Sequence, residues 1–125
     1  MHPHLSIVVC VYNEEDNIQP LVQQLDENLK ALDYELVFVD DGSRDQTLAR
    51  LKALQHPRLR IVEFRRNFGQ SAALAAGIEY ARGEWIATMD GDLQNDPADI
   101  PRMLKIAQDR NLDMLAGVRQ KRQDG

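Results

Sequence analysis

Trp85-Ile86-Ala87-Thr88-Met89-Asp90-Gly91-Asp92-Leu93-Gln94 is the stretch on which the fold turns. A strand-forming apolar run ends abruptly in two carboxylates with one glycine between them. Carboxylates that close repel each other, and each loses hydration if partly buried. A fold gains nothing from ending a core strand this way, whereas a divalent cation would relieve both penalties. Mg²⁺ and Mn²⁺ are hard ions that take carboxylate oxygens and keep places for water and phosphate. Gly91 permits a sharp turn and a close ligand approach, and Gln94 offers a neutral oxygen. Asp-x-Asp is nevertheless common in solvated acidic turns, so the rest of the chain has to decide.

The same design recurs upstream. Ser6-Ile7-Val8-Val9-Cys10-Val11-Tyr12 is continuously apolar and β-branched, which predicts a strand buried on both faces and therefore parallel. Polar Asn13-Glu14-Glu15-Asp16-Asn17 follows, and Ile18, Leu21, Val22, Leu25, Leu29 and Leu32 then recur at helical spacing. Glu35 to Val39 predicts a second strand, ending in Asp40-Asp41-Gly42-Ser43. Ser43-Arg44-Asp45-Gln46 fits a capping box ahead of a helix buried through Leu48, Leu51 and Leu54. Arg60 to Phe64 predicts a third strand running into Arg65-Arg66-Asn67-Phe68-Gly69-Gln70. An Ala-rich helix over 71–82, containing Gly77, suits close packing on a sheet, with Gly83 as its terminator. After the fourth strand, Asp96-Pro97-Ala98-Asp99 predicts an N-cap with proline at the first helical position, and Ile100, Met103, Leu104 and Ala107 line that helix. Asp113 to Val118 reads as a fifth strand, followed by basic Arg119, Lys121 and Arg122.

Strict βαβα alternation predicts the α/β class: a doubly wound, mostly parallel sheet with helices on both faces. Ligands of such sheets bind beyond the C-terminal strand ends. Tyr12-Asn13-Glu14, Asp40-Asp41, Arg66-Asn67, Asp90-Gly91-Asp92 and Arg119 all follow strands, which predicts one site along one edge.

Composition narrows the function. The 125 residues, 43% hydrophobic and 28% charged, make one globular domain, and the net charge of −5 argues against nucleic acid as partner. A single cysteine excludes an internal disulfide, and Cys10 in its apolar run reads as a core thiol. No apolar run reaches the roughly 20 residues of a membrane span. His2 and His4 read as a frayed terminus, and His56 as a loop residue. The chain has no G-x-G-x-x-G, no G-x-x-x-x-G-K-[ST] and no G-x-S-x-G, which argues against dinucleotide enzymes, P-loop NTPases and serine hydrolases. Carboxylates, an aromatic, an amide and arginines suit a nucleoside diphosphate: Tyr12 beside a base, an Asp accepting from a base N–H, and a metal on the diphosphate.

Ile7 to Glu15, Val39-Asp40-Asp41-Gly42-Ser43-Arg44-Asp45, Arg66 to Gln70 and Met89 to Gln94 together resemble the family 2 glycosyltransferases of GT-A fold. The nearest likeness is to the polyprenyl-phosphate branch, which includes dolichyl-phosphate mannose synthase, bactoprenol glucosyltransferases and undecaprenyl-phosphate formamidoarabinose transferases. The last two groups also share the pattern of Gly117 to Asp124. The resemblance spans essentially the whole chain. It implies a metal-dependent, inverting transfer of sugar from a nucleotide-sugar donor, with UDP favoured, to a polyprenyl phosphate. It further implies that Tyr12, Asn13 and Glu14 wall the nucleotide pocket, and that Asp40 or Asp41 contacts the base or ribose. Arg66, Asn67 and Gln70 would line the donor side, and Asp90 would sit near ribose or metal. Asp92 would ligate Mg²⁺ or Mn²⁺ with Gln94 beside it, and Arg119 would face phosphate at the reaction centre. Cys10 departs from the pattern, because the family usually has proline there. The chain reads as the donor-binding part of a longer enzyme at the cytoplasmic face of the membrane. On that reading acceptor half and membrane segments lie outside it, this part by itself is soluble and inactive, and a second copy is a further partner. The rival classes are a sugar-nucleotide nucleotidyltransferase, an inactive nucleotide-binding module and a signalling receiver domain, the last needing an Asp after the third strand where Arg65-Arg66 stands. Acidic Asn13-Glu14-Glu15-Asp16 is unsuited to cradling the triphosphate that the first rival needs.

Overall fold

The computed structural model describes residues 2–90, 96–111, 114–115 and 118–121. Its elements are β1 (Leu5–Val11), α1 (Ile18–Leu29), β2 (Tyr34–Asp40), α2 (Thr47–Ala53), β3 (Leu59–Glu63), α3 (Gln70–Tyr80), β4 (Trp85–Asp90), α4 (Asp99–Asp109), β5 (Met114–Leu115) and β6 (Val118–Gln120). They form one sheet of order β3-β2-β1-β4-β6-β5. β1 lies between β2 and β4 and pairs in parallel with both, as β2 does with β3. Winding runs outward from β1 to β3, then returns to start again at β4. The reversal opens a crevice between β1 and β4 at their C-terminal ends, where doubly wound sheets bind ligands.

The continuous apolar runs became strands buried on both faces. Leu5, Ile7, Val9 and Val11 of β1 join a core with α1, α2 and α4, while Val8 joins a smaller core under α3. Every α1 position named by helical spacing packs inward, with Leu32 partly buried just beyond the helix. α3 approaches β1 and β2 through Gly77, where a Cβ would meet Val8 Cγ1 at 2.3 Å and Val39 Cγ2 at 3.0 Å.

Several local expectations are corrected. The segment expected as one parallel strand over 113–118 instead holds two short antiparallel strands. β6 pairs antiparallel with β4, Trp85 opposite Gln120 and Ile86 opposite Arg119. An apolar run specifies that a segment is a strand, not which way it runs. The capping box at Ser43 does not form: α2 starts after Gln46, and Asp45 Oδ1 accepts from Thr47 N at 2.9 Å instead. Asp96 similarly closes a turn one step before α4, its Oδ1 accepting from Ala98 N at 2.9 Å. Gly83 does not end α3, since the chain is already extended at Ala81. Its role is approach to β1, where a Cβ would lie 2.6 Å from Ser6 N. Lys121, expected on the solvated surface, donates through Nζ to the α3 carbonyls of Ile78, at 3.2 Å, and of Ala81 just past the helix end. A cation there complements the helix dipole. His4 is not frayed, because its amide donates to Asp33 O at 2.9 Å. His56 is a loop residue, and its Nε2 bonds the Asp26 carboxylate at 2.8 and 2.9 Å.

Candidate functional site

The register delivers three carboxylates to the C-terminal edge: Asp40 and Asp41 at the end of β2, and Asp90 at the end of β4. Cys10 pairs with Val39 on one side and Asp90 on the other, so it forms the floor between them. A cleft of about 390 Å³ opens above, lined by Cys10, Tyr12, Glu14, Asp41, Asn67, Gly69, Gln70 and Asp90. Cys10 is therefore a half-buried cleft residue rather than a core thiol. Burial, followed by the charges of Asp41, Asp90 and Asp40, pushes its thiol up to about 11. It stays protonated at neutral pH, chiefly because it is buried and secondly because three carboxylates stand nearby.

Loop-to-loop bonding fixes the cleft walls. Asn13 adopts a left-handed conformation, φ 52°. Its amide donates to Ser43 Oγ at 2.9 Å, and its Oδ1 accepts from Arg44 N at 2.9 Å. Glu14 N donates to Thr47 Oγ1 at 2.8 Å, and Arg50 Nη1 donates to Glu15 O at 2.8 Å. The loops after β1 and β2 are thus laced by exchanges between side chain and backbone. Asn13 was expected in the pocket wall, and its side-chain oxygen instead clamps the neighbouring loop.

The second wall hangs on Asp41. Its Oδ1 accepts from Phe68 N at 2.8 Å and its Oδ2 from Gly69 N at 3.1 Å, while its carbonyl accepts from Asn67 Nδ2 at 3.3 Å. Gly42, at φ 73°, lets this loop lie directly over it, because a Cβ there would meet Arg66 C at 2.3 Å. Gln70, the first residue of α3, donates through Nε2 to Asp90 Oδ1 and so bridges to β4. Of the pair left open by sequence, Asp41 lines the cleft. Asp40, equally buried, is outside the lining and accepts from Ser43 N at 3.2 Å.

Other expected residues divide. Tyr12, Glu14, Asn67, Gln70 and Asp90 come together in the cleft. Arg66 is outside its lining, with its guanidinium 4.8 Å from the centre of the exposed Phe68 ring. Asp92, Gln94 and Arg122 lie outside the described residues, so Asp90 alone represents the expected metal ligands. Among the described residues no group of three or more His, Cys, Asp or Glu side chains is placed to hold a metal ion. Arg119 was expected on the same edge as Asp92. The antiparallel pairing places its backbone opposite Ile86, near the start of β4 and towards the other edge. Sequence reading missed the lacing residues Ser43 and Thr47, although a run of short hydroxyl and carboxylate side chains after a strand is a signal for such loop bonding.

Comparison with known proteins fits this geometry. The glycosyl transferase family 2 profile matches residues 6–125. The chain is 50% identical to a dodecaprenyl-phosphate galacturonate synthase of Rhizobium johnstonii, over 97% of this chain and 37% of that protein. It is 41% identical to an undecaprenyl-phosphate 4-deoxy-4-formamido-L-arabinose transferase of Pseudomonas fluorescens, over 96% of this chain and 36% of that protein. The chain therefore spans little more than a third of the length of these curated relatives. Among solved structures, S. aureus TarS in complex with UDP-GlcNAc superposes with a TM-score of 0.75 at 25% identity, over 90% of this chain and 33% of that one. The mannosyltransferase PcManGT from Pyrobaculum calidifontis, in complex with GDP-Man and Mn²⁺, gives 0.65 at 27% identity, over 86% of this chain and 33% of that one. The family match starts at the second residue of β1 and takes in every strand and helix that frames the cleft, so this chain belongs to glycosyl transferase family 2.

Proposed function

We propose that the chain is the nucleotide-sugar-binding part of a glycosyltransferase that moves a sugar from a UDP-sugar to a polyprenyl phosphate. The observation that carries this reading is the carboxylate-lined cleft at the β1/β4 reversal. Relatives named as polyprenyl-phosphate sugar transferases support the acceptor class, and TarS with UDP-GlcNAc supports the donor class. In this reading Tyr12 packs beside the base, Asp41 and Asn67 shape the pocket, and Gln70 orients the Asp90 carboxylate.

Asp90, with Asp92 and Gln94, would hold Mg²⁺ or Mn²⁺. All three offer hard oxygen donors, which suit these ions, and the carboxylates that the register gathers at this edge favour a cation nearby. When bound, the ion would neutralise the diphosphate. The acceptor is a phosphate already ionised near neutral pH, so no general base is needed to make the nucleophile. One phosphate oxygen bonds the anomeric carbon as the bond from that carbon to the diphosphate oxygen breaks. The electron pair leaves with the nucleotide, and configuration inverts. The neutral Cys10 thiol on the cleft floor offers no competing nucleophile.

Calorimetry with UDP and GDP, with and without Mn²⁺, tests the donor reading. UDP binds more tightly than GDP, EDTA weakens it, and Asp92→Asn removes most of the metal dependence while the melting temperature holds. Equal UDP–Mn²⁺ affinity in Asp92→Asn would sink the metal assignment.

A further inference from the structure

The opposite edge of the sheet carries a second cleft, of about 290 Å³, framed by Tyr34, Glu35, Arg58, Arg60 and Arg82. Tyr34 and Glu35 open β2, and Asp40 closes it. At ~3.3 Å per residue the two ends are about 20 Å apart, so this cleft is separate from the donor cleft. Glu35 is buried and saturated. Its carboxylate accepts from Ser6 Oγ at 2.6 Å, Arg82 N at 2.7 Å, Arg82 Nη2 at 3.1 Å, Arg82 Nε at 3.2 Å and Arg60 Nη1 at 3.3 Å. One carboxylate thus holds two guanidinium groups in place. Arg58 is fixed independently: it lies 4.7 Å over the Tyr34 ring and donates through Nη1 to Tyr34 O at 2.9 Å.

Neutralising Glu35 does not account for this arrangement. One arginine would suffice, and Arg58 makes no contact with it among the described residues. Three arginines face two carboxylates, Glu35 and the exposed Asp33, leaving excess positive charge in a protein of net charge −5. Each guanidinium also keeps N–H groups with no acceptor among the described residues: Nε and Nη2 of Arg58 and Arg60, and Nη1 of Arg82. The donors are ordered before any ligand arrives, which lowers the entropy cost of binding. Planar guanidinium forks match oxyanions of phosphate geometry.

We propose that this rear cleft is a second, anion-binding site that takes a phosphate-type oxyanion on Arg58, Arg60 and Arg82. The anion is either free in solution or the headgroup phosphate of an anionic lipid. Asp33, 3.5 Å from Arg58 Nη1, is the group it displaces.

The test is calorimetric titration of the protein with inorganic pyrophosphate in EDTA and low salt, alongside flotation with phosphatidylglycerol and with phosphatidylcholine vesicles. Arg58→Glu is the informative variant, because it touches neither Glu35 nor the donor cleft. It weakens pyrophosphate binding at least tenfold, Arg58→Lys weakens it less, and UDP–Mn²⁺ affinity holds. If Arg58→Glu fails to fold, Arg58→Gln replaces it. Loss of pyrophosphate binding without phosphatidylglycerol flotation identifies a soluble anion, and Arg58-dependent flotation identifies a lipid headgroup. The proposal is overturned if neither ligand binds, if binding survives loss of Arg58, or if pyrophosphate and UDP–Mn²⁺ are lost together.

Discussion

Glu35 has a measurable pH signature. Burial alone would push its carboxyl up, but hydrogen bonds from Ser6, Arg82 and Arg60 outweigh it and hold the carboxyl below its ordinary 4.5. Above pH 4.5 it is ionised in both folded and unfolded chains, and its contribution to stability is complete. As pH falls below 4.5 the unfolded carboxyl takes a proton first, and that contribution fades until the folded carboxyl is protonated too. Glu35→Gln should cost about 1–3 kcal/mol at pH 7, because it leaves the buried Ser6 hydroxyl and two partly exposed guanidinium groups poorly matched. Denaturant titrations at pH 7 and pH 3 should show that difference shrinking, and a constant difference would rule this account out. Cys10 has the opposite sign. Its stabilising share is whole below pH 9, where both states are neutral, and is lost between 9 and about 11 as the unfolded thiol ionises first. At pH 8 a thiol titrating near 11 carries far less thiolate than a free one, so alkylation by iodoacetamide should be slower, even though a more basic thiolate is intrinsically more nucleophilic. Cys10 reacting as fast as a free thiol would contradict its half-buried place on the cleft floor.

Among the elements, α3 depends on two glycines for different reasons. At Gly77 the limit is space, because a methyl would press into Val8 and Val39. Gly77→Ala should cost about 1–3 kcal/mol through overpacking and lift the helix. At Gly69 the limit is backbone, with φ 103° and ψ 158°, while an added Cβ meets nothing within 4 Å. Gly69→Ala should also cost about 1–3 kcal/mol, and by moving the Gln70 bridge it should weaken UDP binding as well. Gly77→Ala should affect stability more than affinity, and equal effects on affinity would remove the distinction. The existence of these elements was legible in the chain, because long periodic runs such as Ile18 to Leu29 and Ser6 to Tyr12 admit one reading. The direction of the strand around Val118 was not, since residue periodicity is blind to chain direction. Nor was the start of α2: Ser43 could cap a helix or hold Asn13, and only the proximity of β1 to β2 decides.

For the whole molecule, the two rims of the sheet carry different clefts, one lined by Asp41, Asp90 and Glu14 and the other by three arginines around Glu35. A ligand that binds only the folded state at a hundred times its Kd adds about 2.7 kcal/mol. UDP with Mn²⁺ should therefore raise the melting temperature by several degrees, and EDTA should cancel most of the rise. An unchanged melting curve at saturating UDP–Mn²⁺ would count against the donor cleft. The position of that cleft was readable because Asp41, Asn67, Gln70 and Asp90 each follow a strand, and parallel order brings such positions to one rim. The buried rear network was harder to see. Glu35 is a charged residue at the head of an apolar strand, but its partners Ser6, Arg60 and Arg82 come from three other parts of the chain, joined only by folding. The lacing between the loops after β1 and β2 carries a consequence for exchange with solvent. The amides of Asn13, Glu14 and Arg44 are bonded only to side chains about thirty residues away, on the facing loop or, for Glu14, at the first residue of α2. Neither loop can protect them alone. Their deuterium uptake should begin together whenever the two segments part at the rim, ahead of the β1–β2 ladder beneath them, which makes them reporters of rim opening rather than of strand separation.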